Sequence, residues 1–275
     1  MNLCYNVRAR DRFRKETNDS NRTMNATTID EVIAQLTDIT DRARREASRL
    51  GFFAALYRKV TIRVQEGIAQ GRFEDGARME RLDVRFANRY LEAYDQHRRG
   101  EAPTASWQVS FEAADAWRPI ILQHLLLGMN AHINLDLGIA AAETCPGDEL
   151  PALQNDFNRI NEVLAELVQP VQGRIGAVSP WIHLLEKIDA RGVDDVIVNF
   201  SMNRARDAAW RFAATLNALP PAARPAAIVA RDHAVAALGR LVRKPGRHLL
   251  PLGLLAIRAR ETHEVDRVID ALNAD

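Results

Sequence analysis

Pro119 to Ala142 reads P-I-I-L-Q-H-L-L-L-G-M-N-A-H-I-N-L-D-L-G-I-A-A-A. The run is apolar on nearly every side, and a helix of that kind is enclosed by other helices rather than laid on a surface. Pro119 suits the first turn, where its missing N–H costs nothing. The stretch is long enough to span a bilayer. His124, His132 and Asp136 within it argue against lipid exposure. It therefore predicts the buried centre of an all-helical protein. Within it, His124 to Asp136 carries two histidines, two asparagines and an aspartate. Polar groups in an apolar interior cost several kcal/mol each unless partnered, so the five predict a polar network or a site.

Working outward, helical periodicity recurs on both sides. Thr28-Ile-Asp-Glu31 matches a capping box and opens a helix with Ile29, Val32, Leu36 and Ile39 on one face, ending at Gly51. A second helix is expected over Phe52–Gly71, and a third over Gly76–His97 with Met79, Leu82, Phe86, Tyr90 and Tyr94 on one face. Ser106 suits the cap of a short helix running to Asp115. Beyond the break at Cys145-Pro-Gly-Asp148, a helix is expected over Leu150–Val171. A short one should follow from Ser179 to Gly192. Asp194 and Asp195 favour the start of another, reaching Leu219. After the proline-rich break at 219–225 come an Ala-rich helix to Lys244, a Pro- and Gly-punctuated apolar stretch, and a last helix capped by Thr262. No alternating strand pattern or internal repeat is present, so the reading is one all-α domain of roughly ten helices around a buried central helix, over 27–275. Residues 1–26 are polar and read as a disordered extension, or as a mis-assigned start with Met24 the true one.

The composition is that of a soluble protein: 275 residues, 47% hydrophobic, 27% charged and a net charge of +1. Such a balance exerts no global pull toward nucleic acid or membrane. Cys4 and Cys145 lack a CxxC partner, and the N-terminal MNLCYNVRARDRFRK has no apolar signal core. A reducing cytoplasm is therefore the expected setting. The N-x-[ST] triplets at Asn18, Asn21 and Asn25 carry no weight there.

On an ideal helix with His124 at 0°, His132 falls near 80°, Asp136 near 120°, Asn134 near −80° and Asn130 near −120° (about 100° per residue). His132 and Asp136 are an i, i+4 pair, so their side chains meet. Two chemistries follow. Both groups can ligate a divalent metal, with His124 and Asp156 as further ligands and Asp83, Asp95 and His97 as alternates. Alternatively, Asp136 fixes the tautomer of His132 and frees its other nitrogen as a base. Asn130, Asn134 and Asn161 are candidate ligand contacts. Arg206 and Trp210, at i, i+4, read as a helix-stabilising surface pair, or as an Arg–Trp stack that binds an anion or an aromatic ligand. Eight basic residues between Arg224 and Arg260, against Asp232 alone, read as a solvated face, or as one that meets phosphate or anionic lipid. HExxH, GxSxG, Walker, GxGxxG and di-iron ExxH patterns are all absent.

With these residues in view, Asn130-Ala-His-Ile-Asn-Leu-Asp-Leu137 resembles the N-A-H-I-N-x-D-L signature of an uncharacterised bacterial all-helical family, a domain of unknown function. H-L-L-L-G-M at His124–Met129, Y-R-K-V-T at Tyr57–Thr61 and D-F-N-R-I-N at Asp156–Asn161 fit as well. The likeness covers Thr28 to Leu219. It implies an all-α fold and directs attention to His124, Asn130, His132, Asn134, Asp136 and Asp156, without an activity or cofactor. The sequence thus points to a small-molecule enzyme, with metal-assisted hydrolysis as the chemistry that His and Asp ligation would serve. The alternative is a non-catalytic binding or scaffold protein in which the cluster is a closed hydrogen-bond network.

Overall fold

The central apolar run folds as one helical rod from Ile121 to Thr144. The computed structural model describes residues 25–185, 201–245 and 250–274. All regular structure among them is helical. In chain order the helices are α1 (Ile29–Arg45), α2 (Leu50–Ala69), α3 (Gly76–Arg98) and α4 (Ala105–Ala114). The rod then comprises α5 (Ile121–Ala131), a five-residue π turn (His132–Asp136) and α6 (Leu137–Thr144). After it come α7 (Leu150–Val178), α8 (Met202–Ala218), α9 (Arg224–Arg243), α10 (Leu250–Arg258) and α11 (Val265–Asn273). By length and composition the rod could cross a membrane, but 89% of its most apolar window is buried against the other helices. Leu125, Leu127, Leu135 and Ile139 on the rod are among the largest fully buried side chains.

Two glycines let neighbours reach the rod's backbone. A Cβ at Gly128 would lie 2.4 Å from the Phe53 ring of α2, and one at Gly138 would lie 2.7 Å from the Ala209 carbonyl of α8. The π turn lies between these two points of close approach.

Three buried carboxylates, each from a later part of the chain, hold backbone N–H groups that helix starts leave free. Asp232 of α9 accepts from Ala105 N and Ser106 N at 2.7 and 2.8 Å, so α4 is capped from outside. Ser106 is therefore the second residue of that helix rather than its cap. Glu261 accepts from Ile121 N at 3.0 Å and from Ser179 Oγ at 2.8 Å, at the head of the rod. Asp156 accepts from Glu74 N and Asp75 N, at 2.7 and 3.1 Å, just before α3.

Several boundaries differ from the sequence reading. Ala26, expected in the polar extension, is 3% exposed and exchanges two hydrogen bonds of 2.8 Å with the Asn88 side chain on α3. Glu31 reaches back to Thr27 while Thr28 Oγ1 accepts from Glu31 N, so the capping interaction spreads over both threonines. α7 continues through Pro170 to Val178, and Ser179 stands at its C-terminal cap. α8 starts at Met202 with Ser201 as its cap. Within the punctuated stretch, Leu250–Arg258 folds as α10, which takes Pro251 at its second position. Residues 1–24 and 186–200, with Met24, Cys4, Gly192, Asp194 and Asp195, lie outside the described residues.

Candidate functional site

At the π turn, the Leu137 N–H donates to the His132 carbonyl, five residues back. Turns of this kind recur at functional sites. His132 and Asp136 bracket it, and Asp136 is 1% exposed. Three donors converge on its carboxylate. Arg89 Nε of α3 donates at 2.9 Å, Trp107 Nε1 of α4 at 2.9 Å, and His132 Nδ1 lies at 3.2 Å. A carboxylate beside Arg89 and the indole acts as acceptor, so the proton sits on His132 Nδ1 and the lone pair on Nε2. That Nε2 is buried and has no hydrogen-bond partner.

Aromatic rings enclose the imidazole. Phe86 stacks on it at 3.5 Å between centroids and 8° between planes, and Tyr57 meets it edge-on at 4.5 Å. Phe53 and Trp107 complete the surround at 5.7 and 5.9 Å. Burial holds the His132 pKa below its ordinary 6.5, against the opposing effect of the hydrogen bond and charge of Asp136. The ring is neutral at neutral pH.

His132 forms part of the wall of a cavity of about 310 Å³ between the rod, α2, α3, α7 and α8. Small-molecule pockets start near this size, roughly 300 Å³. Its walls are apolar except at Tyr57, Asp83, His132, Gln172 and Arg206. Gln172 is exposed, which places the mouth of the cavity along α7. The other four are largely buried, and Tyr57 Oη, Asp83 Oδ2, His132 Nε2 and Arg206 Nε each lack a partner. Buried polar atoms are nearly always paired, so four such orphans in residues of one cavity wall stand out. Asp83 is 7% exposed, and burial, with the nearby charge of Glu80, pushes its carboxyl up to about 7.

The expected metal set does not assemble. Asp156 is fully committed to the backbone of 74–75 and to Arg78 at 2.9 Å. His124 lies edge-on to Phe52 at 5.7 Å and lines a separate small void beside Arg49. Burial, with the charges of Arg49 and Arg258, holds its pKa down to about 3. Asp136 is occupied by its three donors. Among the described residues no group of three or more His, Cys, Asp or Glu side chains is placed to hold a metal ion.

Asn130 and Asn134 do not line the cavity. Asn130 Nδ2 donates to the Val235 carbonyl of α9 at 2.9 Å, and Asn134 Nδ2 donates to Asn130 Oδ1 at 3.1 Å, tying the rod to that helix. Asn161 is half-buried with an unpartnered Oδ1, outside the lining. Arg206 does line the cavity, but its guanidinium lies over Phe157 at 4.4 Å instead of on Trp210. Trp210 packs on Phe157 with ring centroids 5.0 Å apart. Described basic residues of 224–260 have separate partners: Arg231 donates to the Asn134 carbonyl, Arg243 pairs with Glu112, and Arg258 donates to the Trp117 carbonyl.

Sequence reasoning missed Tyr57, Phe86, Arg89 and Trp107 as parts of the site. Asp83, Phe86 and Tyr90 stand at i, i+3 and i+7, and an aspartate inside an apolar stripe was the available signal. The π turn left none, because its residues are equally at home in an α-helix.

Residues 29–245 match the model of a family of unknown function, DUF5995. The chain belongs to this family. No curated protein and no solved structure matches it. The DUF5995 match begins at the first residue of α1 and continues past Leu219, where the sequence resemblance stopped, to take in all of α9. It therefore contains every residue of the His132–Asp136 cluster and of the cavity wall. Glu261, which caps the rod, comes from beyond the match.

Proposed function

We propose that the protein is a small-molecule enzyme that moves a proton to or from an apolar substrate held in the cavity. The observation that carries this is the His132 ring: Nδ1 tied to Asp136, and Nε2 buried without a partner in a residue of the cavity wall. A neutral imidazole so held is a base, and Asp136 stabilises the imidazolium formed when Nε2 takes the proton. Asp83, with its carboxyl near 7, is suited to give or take a proton at neutral pH. The apolar walls exclude water and strengthen both interactions. Proton abstraction from carbon and base-assisted hydrolysis both fall within this chemistry. A metal-assisted route would require Asp136 to release one of its donors.

A second reading is favoured by the almost uniformly apolar wall: a protein that binds a hydrophobic molecule and does no chemistry on it. Two assays separate them. One follows hydrolysis of a panel of nitrophenyl esters of graded acyl length, the other deuterium exchange into enolisable ketones. Each is run with wild type, His132→Gln and Asp83→Asn. Turnover that falls at least about a hundredfold in both variants supports the enzyme. A fluorescent apolar probe displaced equally from all three proteins, with no turnover in any, supports the binding protein.

A further inference from the structure

Among the described residues, Arg206 is a buried cation without a counter-ion. It is 5% exposed, its Nη2 donates to the Phe157 carbonyl, and its Nε has no partner. Among the described residues no carboxylate pairs with it. The acid whose charge reaches it is Asp207, its exposed neighbour in the chain. Isolated charges in an apolar interior are costly, and buried charges are nearly always paired. Arg206 belongs to the cavity wall together with Phe157, Ile160, Leu164 and Met202, all apolar.

We infer that Arg206 is the anchor for an anionic head group, and that the cavity takes an apolar molecule bearing a single carboxylate. The inference rests on reading the cavity as a ligand site and adds the class of ligand. The wall supplies one permanent cation among the described residues, which matches one negative charge. A phosphate would call for further cationic donors, and the described wall holds none. Guanidinium–carboxylate pairing is charge-assisted and directional, so it fixes which end of a chain-like molecule enters first. The apolar body would then extend along the α7 side of the cavity, past Leu164 and Leu167 toward the mouth at Gln172.

Calorimetric titration of the whole protein with decanoate, decanol, decylamine and decyl phosphate, each below its micelle concentration, tests this. The titration is run at pH about 6, where decanoate is charged and Asp83 largely is not. The expected result is decanoate binding at least about tenfold tighter than decanol or decylamine, with Arg206→Met erasing that margin by weakening decanoate binding. Should Arg206→Met fail to fold, Arg206→Lys is expected to keep a reduced preference, because lysine holds the charge without the fork. Equal binding of decanoate and decanol to wild type overturns the anchor while leaving the cavity as a ligand site. Decyl phosphate binding more tightly than decanoate overturns the carboxylate. No binding by any of the four overturns the inference, and the proposed enzyme is then judged separately by its His132-dependent turnover.

Discussion

Asp136 receives three donors from three parts of the fold, and removing it strands all of them. A buried ion pair broken on one side costs more than the intact pair contributes, because the remaining charge and N–H groups stay dehydrated. Asp136→Ala is therefore expected to lose about 3–5 kcal/mol of stability in urea melts. A loss below about 1 kcal/mol would show that water replaces the carboxylate freely. Asp83 behaves in the opposite way. Burial raises its carboxyl from 3.8 to about 7, so between those values the folded protein keeps a proton that the unfolded chain releases. The stability this group contributes is present below pH 3.8 and is lost as pH rises to about 7. Asp83→Asn should therefore stabilise the protein above pH 7 by up to about 4 kcal/mol and change little below pH about 4. Equal or lower stability of the variant at high pH would mean that the charged carboxylate is well partnered. Gain of stability with loss of turnover is the pattern of a residue kept for function.

At the scale of the helices, the rod is held by close approach and by caps supplied from elsewhere. Gly138 faces a backbone carbonyl of α8, which cannot rotate away as a side chain would. Gly138→Ala must push α8, and with it Arg206, off the rod. The expected cost is about 1–3 kcal/mol with weakened ligand binding, read from thermal melts and titration together. An unchanged melt would show that α8 shifts without resistance. Glu261 closes the N-terminal end of the rod by accepting from Ile121 N and Ser179 Oγ, and lies 3.6 Å from Arg258. Glu261→Ala should cost about 2–3 kcal/mol, since it leaves a buried N–H and a buried cation unmatched. Glu261→Gln keeps one acceptor and should cost less. A reversed order would assign the effect to packing.

For the molecule as a whole, two buried histidines contribute to the response to acid. His124 is held neutral, its pKa down from 6.5 to about 3, and His132 is lowered as well. The unfolded chain takes up protons below pH 6.5 that the folded chain refuses. The contribution of His124 to stability is thus present above pH 6.5 and is lost as pH falls toward 3, and that of His132 falls in the same direction. His124 alone accounts for at most about 5 kcal/mol across that range. His124→Leu should flatten the fall in urea midpoint between pH 7 and pH 4 relative to wild type. Parallel curves for the two proteins would show that His124 takes up a proton without unfolding. Asp83 acts in the opposite direction over the same range, so the difference between the two proteins, not either curve alone, isolates His124.

The sequence by itself determined what depends on neighbours along the chain. An apolar run without a polar face could only be an enclosed helix, and periodicity at 3.6 residues placed the helices around it. His132 and Asp136 were legible as a pair because i, i+4 positions touch in any helix, whatever surrounds them. Which partners a buried carboxylate finds is another matter, since Asp136, Asp156, Asp232 and Glu261 look alike in sequence. Tertiary structure made Asp156 a brace for backbone N–H groups and Asp136 the support of a histidine, through donors 29 to 82 positions away. Only packing could open the π turn, leave a cavity between helices distant in the chain, and set Asp83, His132 and Arg206 on its wall. Those outcomes depend on how side chains from separate helices fill shared space, which the pattern along one helix does not encode.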